Sequence, residues 1–83
     1  METFIVKFSS GILDLDAIVT TDNRAQFRVE MITNEPNPIL LKRSLQGEWT
    51  IINRGSRNLA DADFGYLTKA IDIMLKKIDK LEQ

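Results

Sequence analysis

Residues 3–20 read Thr-Phe-Ile-Val-Lys-Phe-Ser-Ser-Gly-Ile-Leu-Asp-Leu-Asp-Ala-Ile-Val-Thr, and this stretch decides the fold. Phe4, Val6 and Phe8 alternate with Ile5 and Lys7, the two-residue period of a half-buried strand. Ser9-Ser10-Gly11 is a turn signal. After it, Leu13, Leu15, Ala17 and Val19 alternate with Asp14, Asp16 and Ile18. Strands are therefore expected over 3–8 and 12–20. A two-residue turn at Ser10-Gly11 pairs Phe8 with Leu13, Val6 with Leu15 and Phe4 with Ala17, which puts all these apolar groups on one face. The same register sets Lys7 opposite Asp14.

Downstream, Thr21-Asp22-Asn23 marks a second turn. A third strand is expected over 25–32, with Ala25, Phe27, Val29 and Met31 opposed to Gln26, Arg28 and Glu30. A two-residue turn here sets charged groups against core groups, so an odd loop of three or five residues is expected. Five is preferred because it places Asp16 opposite Arg28. Pro36 and Pro38 end the strand, since neither donates to a ladder. Residues 39–45 and 48–54 read as a further hairpin around Gln46-Gly47. Its doublets Leu40-Leu41 and Ile51-Ile52 give both faces apolar groups.

The last segment changes period. Phe64, Leu67, Ile71, Met74, Ile78 and Leu81 are spaced as the apolar stripe of a helix over about residues 60–81. Asn58, with Asp61 three residues on, or Asp61 itself supplies the cap. The expected fold is α+β: one antiparallel meander of about five strands with one C-terminal amphipathic helix packed on one face. The competing arrangement pairs the helix with a second copy as a coiled coil. It is disfavoured, because about three heptads is short for that and the sheet's inner face loses its cover.

The chain has 83 residues, 43% of them apolar and 28% charged, with no Cys and no His. That length gives a single domain, 1–83, which buries only about 60–65% of the surface its unfolded chain exposes. Disulfides, thiol nucleophiles and thiolate metal sites are excluded, and the commonest general base is missing. No run approaches the ~20 apolar residues of a membrane span. The first residues lack the basic-then-apolar pattern of a secretory leader, so a cytoplasmic location is expected. The net charge is −1, but residues 36–57 carry Lys42, Arg43, Arg54 and Arg57 against Glu48 alone.

Four constellations stand out. Asp14 and Asp16, with Glu30, have the chemistry to hold a cation. A solvated face balanced by Lys7 and Arg28 is the simpler reading, and no metal or other cofactor is expected. Gly55-Ser56-Arg57-Asn58 before the helix suits a phosphate, yet Asp61 and Asp63 already occupy that positive helix end. Lys42, Trp49, Arg54 and Arg57 combine cations with a stacking ring, the chemistry of single-stranded nucleic-acid binding. Lys42 and Arg43, being adjacent, face opposite sides, which divides the basic set. Finally, Ile5, Ile18, Ile52, Tyr66 and Ile73 are left over once one helix covers one sheet face. Ile12 and Ile32 add to them. The expected function is a small non-catalytic protein-interaction module, a homodimer or a binder of another protein, with no membrane partner. The alternative is single-stranded nucleic-acid binding through the basic 42–57 segment.

Overall fold

A computed structural model describes residues 1–32, 36–56 and 59–81. Five strands form one antiparallel sheet: β1 (Glu2–Ser10), β2 (Leu13–Thr21), β3 (Gln26–Met31), β4 (Ile39–Arg43) and β5 (Trp49–Asn53). They lie side by side in chain order, so β1 and β5 are the edges. One helix, α1 (Asp61–Leu81), covers the inner face. The α+β meander expected from the alternation is the fold. The fourth and fifth strands are shorter than the sequence suggests, because Ser44 closes the hairpin early. Its carbonyl accepts from Gly47 N–H at 3.0 Å, and its hydroxyl accepts from Glu48 N–H at 3.0 Å.

The first hairpin keeps the expected face but not the expected partners. Ser10 pairs with Leu13, so Phe8 opposes Leu15, Val6 opposes Ala17 and Phe4 opposes Val19. The turn is Gly11-Ile12, and Gly11 has φ +62°. A two-residue turn with glycine first and only its φ positive is the II′ type, whose twist matches the strands. That preference moves the turn one residue along. Both partners shift together, so parity survives, and Lys7 faces Asp16 instead of Asp14.

The second hairpin also turns later in the chain than expected. Thr20 opposes Arg28 and Ala17 opposes Met31, so Asp16 and Arg28 are not partners. The parity is the expected one, and core residues still meet core residues. Side chains hold the loop. Thr21 Oγ1 donates to the Gln26 carbonyl at 2.7 Å and accepts from Arg24 N–H at 3.0 Å, while Asn23 Oδ1 accepts from the N–H groups of Ala25 and Gln26. Arg28 bonds Glu30 along its own strand.

The doublets in β4 and β5 have a local cause. Leu41 pairs with Ile51 but Leu40 pairs with Asn53, a bulge that leaves Ile52 as the extra residue. Leu41 is fully buried, while Ile52 is exposed.

The helix starts with a half capping box. Asp63, at the third helical position, accepts the Ala60 N–H at 3.0 Å. Ala60, not Asp61, is thus the cap position, and Asn58 lies outside the described residues. Leu59 and Phe64, both buried, flank the cap at hydrophobic-staple spacing. The buried helix residues are Phe64, Leu67, Ile71 and Leu75. Met74 packs on the core's margin, and Leu81, expected in the stripe, is 86% exposed. A helix turns 100° per residue, so a 3-4-3-4 series drifts off a sheet. Leu75 replaces the end of the series because the buried stripe follows 3.6, not 3.5.

Candidate functional site

β1 is the longer of the sheet's two edge strands. It is nine residues long, contains no proline and pairs with β2 without a bulge. The other edge, β5, has five residues and is itself bulged at Ile52. Natural edges are blunted by shortness, bulges, proline or lysine, and on β1 only Lys7 serves that purpose.

The direction of the free edge groups follows from one bond. Ile32 N–H donates to the Asp16 carbonyl at 3.3 Å, so the Asp16 backbone faces β3. In an antiparallel ladder successive residues turn their backbone groups to opposite sides. The Ala17 backbone therefore faces β1, and bonds Val6 opposite it. Thr3, Ile5, Lys7 and Ser9 then turn their N–H and C=O groups away from the sheet.

α1 runs antiparallel to this edge and is tied to both its ends. At one end Ser10 Oγ donates to Asp63 Oδ2 at 2.9 Å. At the other, Arg24 Nε donates to Glu2 Oε1 and Arg24 Nη1 to Asp79 Oδ1, both at 2.7 Å. The guanidinium holds the Glu2 carboxyl below its ordinary range, against a smaller opposing effect of desolvation. Arg24's own pKa is raised chiefly by its bond to Glu2, then by that to Asp79.

Between helix and edge lies a groove of about 440 Å³, lined by Ile5, Val6, Lys7, Asp16, Ala70, Ile73, Met74 and Lys77. Ile5 is 56% exposed and Ile73 47% exposed. Tyr66, 55% exposed, lies two turns before Ile73 on the same helix face. Ile18 stands directly across from Ile5 on the outer sheet face. Four of the five interface candidates are thus gathered around the β1 edge. The fifth, Ile52, is elsewhere. It lines a separate outer-face concavity of about 530 Å³ with Thr20, Arg28 and Leu40.

The basic set is not gathered. Lys42 is exposed on β4. Trp49 packs on Phe27, with ring centroids 5.0 Å apart, and its Nε1–H donates to Asp72 Oδ2 at 3.1 Å. Arg43 bonds the other oxygen of Asp72 at 3.0 Å and lies over the Trp49 ring. Arg54 spans the Leu59 carbonyl and Asp61, and stacks over Phe64. Arg57 lies outside the described residues. Of the residues expected as ligand contacts, Arg54 and Trp49 instead bond α1, as does the neighbouring Arg43. Gly55 likewise has a packing role: at φ +78°, a Cβ there would sit 2.9 Å from Ile39 Cγ1.

Asp14 accepts from Ser9 Oγ at 3.4 Å, and Glu30 is paired with Arg28. Among the described residues no acidic group of three stands within reach of one cation. No described helix is long and apolar enough to cross a membrane. Sequence reading did not single out Ala70 and Met74 as groove walls. Their signal was present, as Ala70 stands about one helical turn before both Ile73 and Met74, but the groove exists only because β1 is an edge. Comparison of the chain with protein-family models, with curated proteins and with solved structures finds no match in any of the three.

Proposed function

We propose that this protein is a small non-catalytic interaction module that self-associates. The observation that carries the reading is the gathering of Ile5, Ile18, Tyr66 and Ile73 along an edge strand that Lys7 alone blunts. Exposed apolar groups scattered singly are ordinary, whereas Ile5 and Ile73 line one groove, with Ile18 across from Ile5 and Tyr66 on the helix face of Ile73, and such a grouping supports a contact surface. A second copy offers such a surface at no further cost in sequence, and small domains gain from the added burial. Nucleic-acid binding has less support, because Trp49, Arg43 and Arg54 are engaged within the fold.

Sedimentation equilibrium from about 1 to 100 µM tests the reading. The expected result is a mass that rises from one chain toward two, the range of a micromolar dimer. A single-chain mass at ~100 µM overturns it.

A further inference from the structure

The geometry points to the way two copies join: we infer that β1 pairs antiparallel with β1 of a second copy about a two-fold axis through Ile5, giving a continuous ten-stranded sheet. This inference rests on the self-association proposed above and adds the surface, the register and the mode.

Three features select a second copy as the occupant. The free backbone groups sit on the odd residues Thr3, Ile5, Lys7 and Ser9. An axis through Ile5 sets Ile5 against Ile5 and Thr3 against Lys7, so free groups meet free groups with about six new hydrogen bonds. The outer-face row Ile18–Ile5 then continues across the seam as Ile5–Ile18 of the other copy, a run of β-branched cross-strand pairs.

Charge chooses the register. An axis through Lys7 opposes two lysines, and one through Val6 leaves them on the diagonal, where like charges repel. Through Ile5 they stand four residues apart. Charge also favours the two-fold itself. The axis lays the two α1 helices antiparallel on one face of the joined sheet. The acidic first turn of one, Asp61 and Asp63, is then directed toward the last turn of the other, which carries Lys80. The helix dipoles are antiparallel as well. Ser10 lies beside Asp63 and Glu2 is linked through Arg24 to Asp79, which brings Ile73 to about the level of Ile5. The two Ile73 side chains thus approach each other near the axis, between the two grooves.

Ile5→Pro is the direct test, read by sedimentation. The Ile5 N–H faces away from β2, so proline removes no bond of the monomer's ladder. In the dimer it removes two donors, one per copy, and its ring obstructs the seam. The dissociation constant of the dimer should rise at least about tenfold. A second measurement uses the absence of native cysteine. Opposed residues of this kind have Cα atoms about 5.5 Å apart, within disulfide range. Ile5→Cys should therefore cross-link rapidly on mild oxidation, while Lys7→Cys and Ile52→Cys should not. If Ile5→Pro does not fold, the cross-linking comparison decides.

Should the wild type dimerise while Ile5→Pro dimerises equally, or Ile52→Cys cross-link faster than Ile5→Cys, edge pairing is wrong and self-association stands. Preferential cross-linking of Lys7→Cys overturns the register. A wild-type monomer at ~100 µM removes both proposals.

Discussion

Arg24 carries more of this fold than its place in a loop suggests. It has φ +59°, the left-handed conformation that favours glycine. Thr21 and Asn23 hold the loop around it, and its guanidinium bridges Glu2 and Asp79 across the start of β1 and the end of α1. Nothing local in the sequence marks Arg24, because its partners lie 22 and 55 positions away. Glu2 makes the bridge sensitive to pH. Its folded pKa lies below the ordinary value of 4.5, so its contribution is present above that value and is lost as pH falls through the lower, folded one. Glu2 is partly exposed and the pair is screened, so the contribution is about 0.3–1 kcal/mol. Glu2→Gln should lower stability by that amount at about pH 7 and match the wild type near pH 2. Urea titrations followed by Trp49 fluorescence at each pH measure the difference. An equal loss at both pH values would show that the carboxylate's charge is not the cause.

At the scale of elements, the helix separates pattern from position. Its existence was legible from Phe64, Leu67 and Ile71, all of which are buried. Only its end was misread, because a 3-4 series can be extended on either side of the true stripe. Leu75 sits on the sheet and Leu81 in solvent. Leu75→Ala should therefore cost about 2–4 kcal/mol, the range for emptying a buried leucine site. Leu81→Ala should cost under about 0.5 kcal/mol. Thermal or urea unfolding of the two variants side by side reads this. Comparable losses would mean that the end of α1 packs differently. The β1–β2 hairpin gives the parallel lesson. Alternation set the faces, but Gly11 set the turn, and a two-residue turn moved by one residue exchanges every partner while leaving each face intact.

For the whole molecule, one helix over five strands leaves an outer face, a groove and an open edge, and the proposed self-association would unite the groove with the edge. If a dimer is the folded species, stability depends on concentration. Diluting the protein a hundredfold through the dimer range should lower Tm by about 4–8 °C, while Ile5→Pro should show a smaller shift. Scanning calorimetry at two concentrations makes the comparison, and a wild-type Tm that ignores dilution counts against the dimer. The strands, the helix and the inward face of each were readable from residue order alone, since a period of 2 or 3.6 is a local property of the backbone and reports directly which side is buried. The candidates Ile5, Ile18, Tyr66 and Ile73 were legible for the same reason, as residues out of step with the buried face. Only the tertiary structure separated Ile52 from them, engaged Trp49, Arg43 and Arg54 within the fold, and made β1 an edge. Those outcomes depend on which turn closes each hairpin and which strands end the sheet. They join residues far apart in the chain, and no local period encodes them.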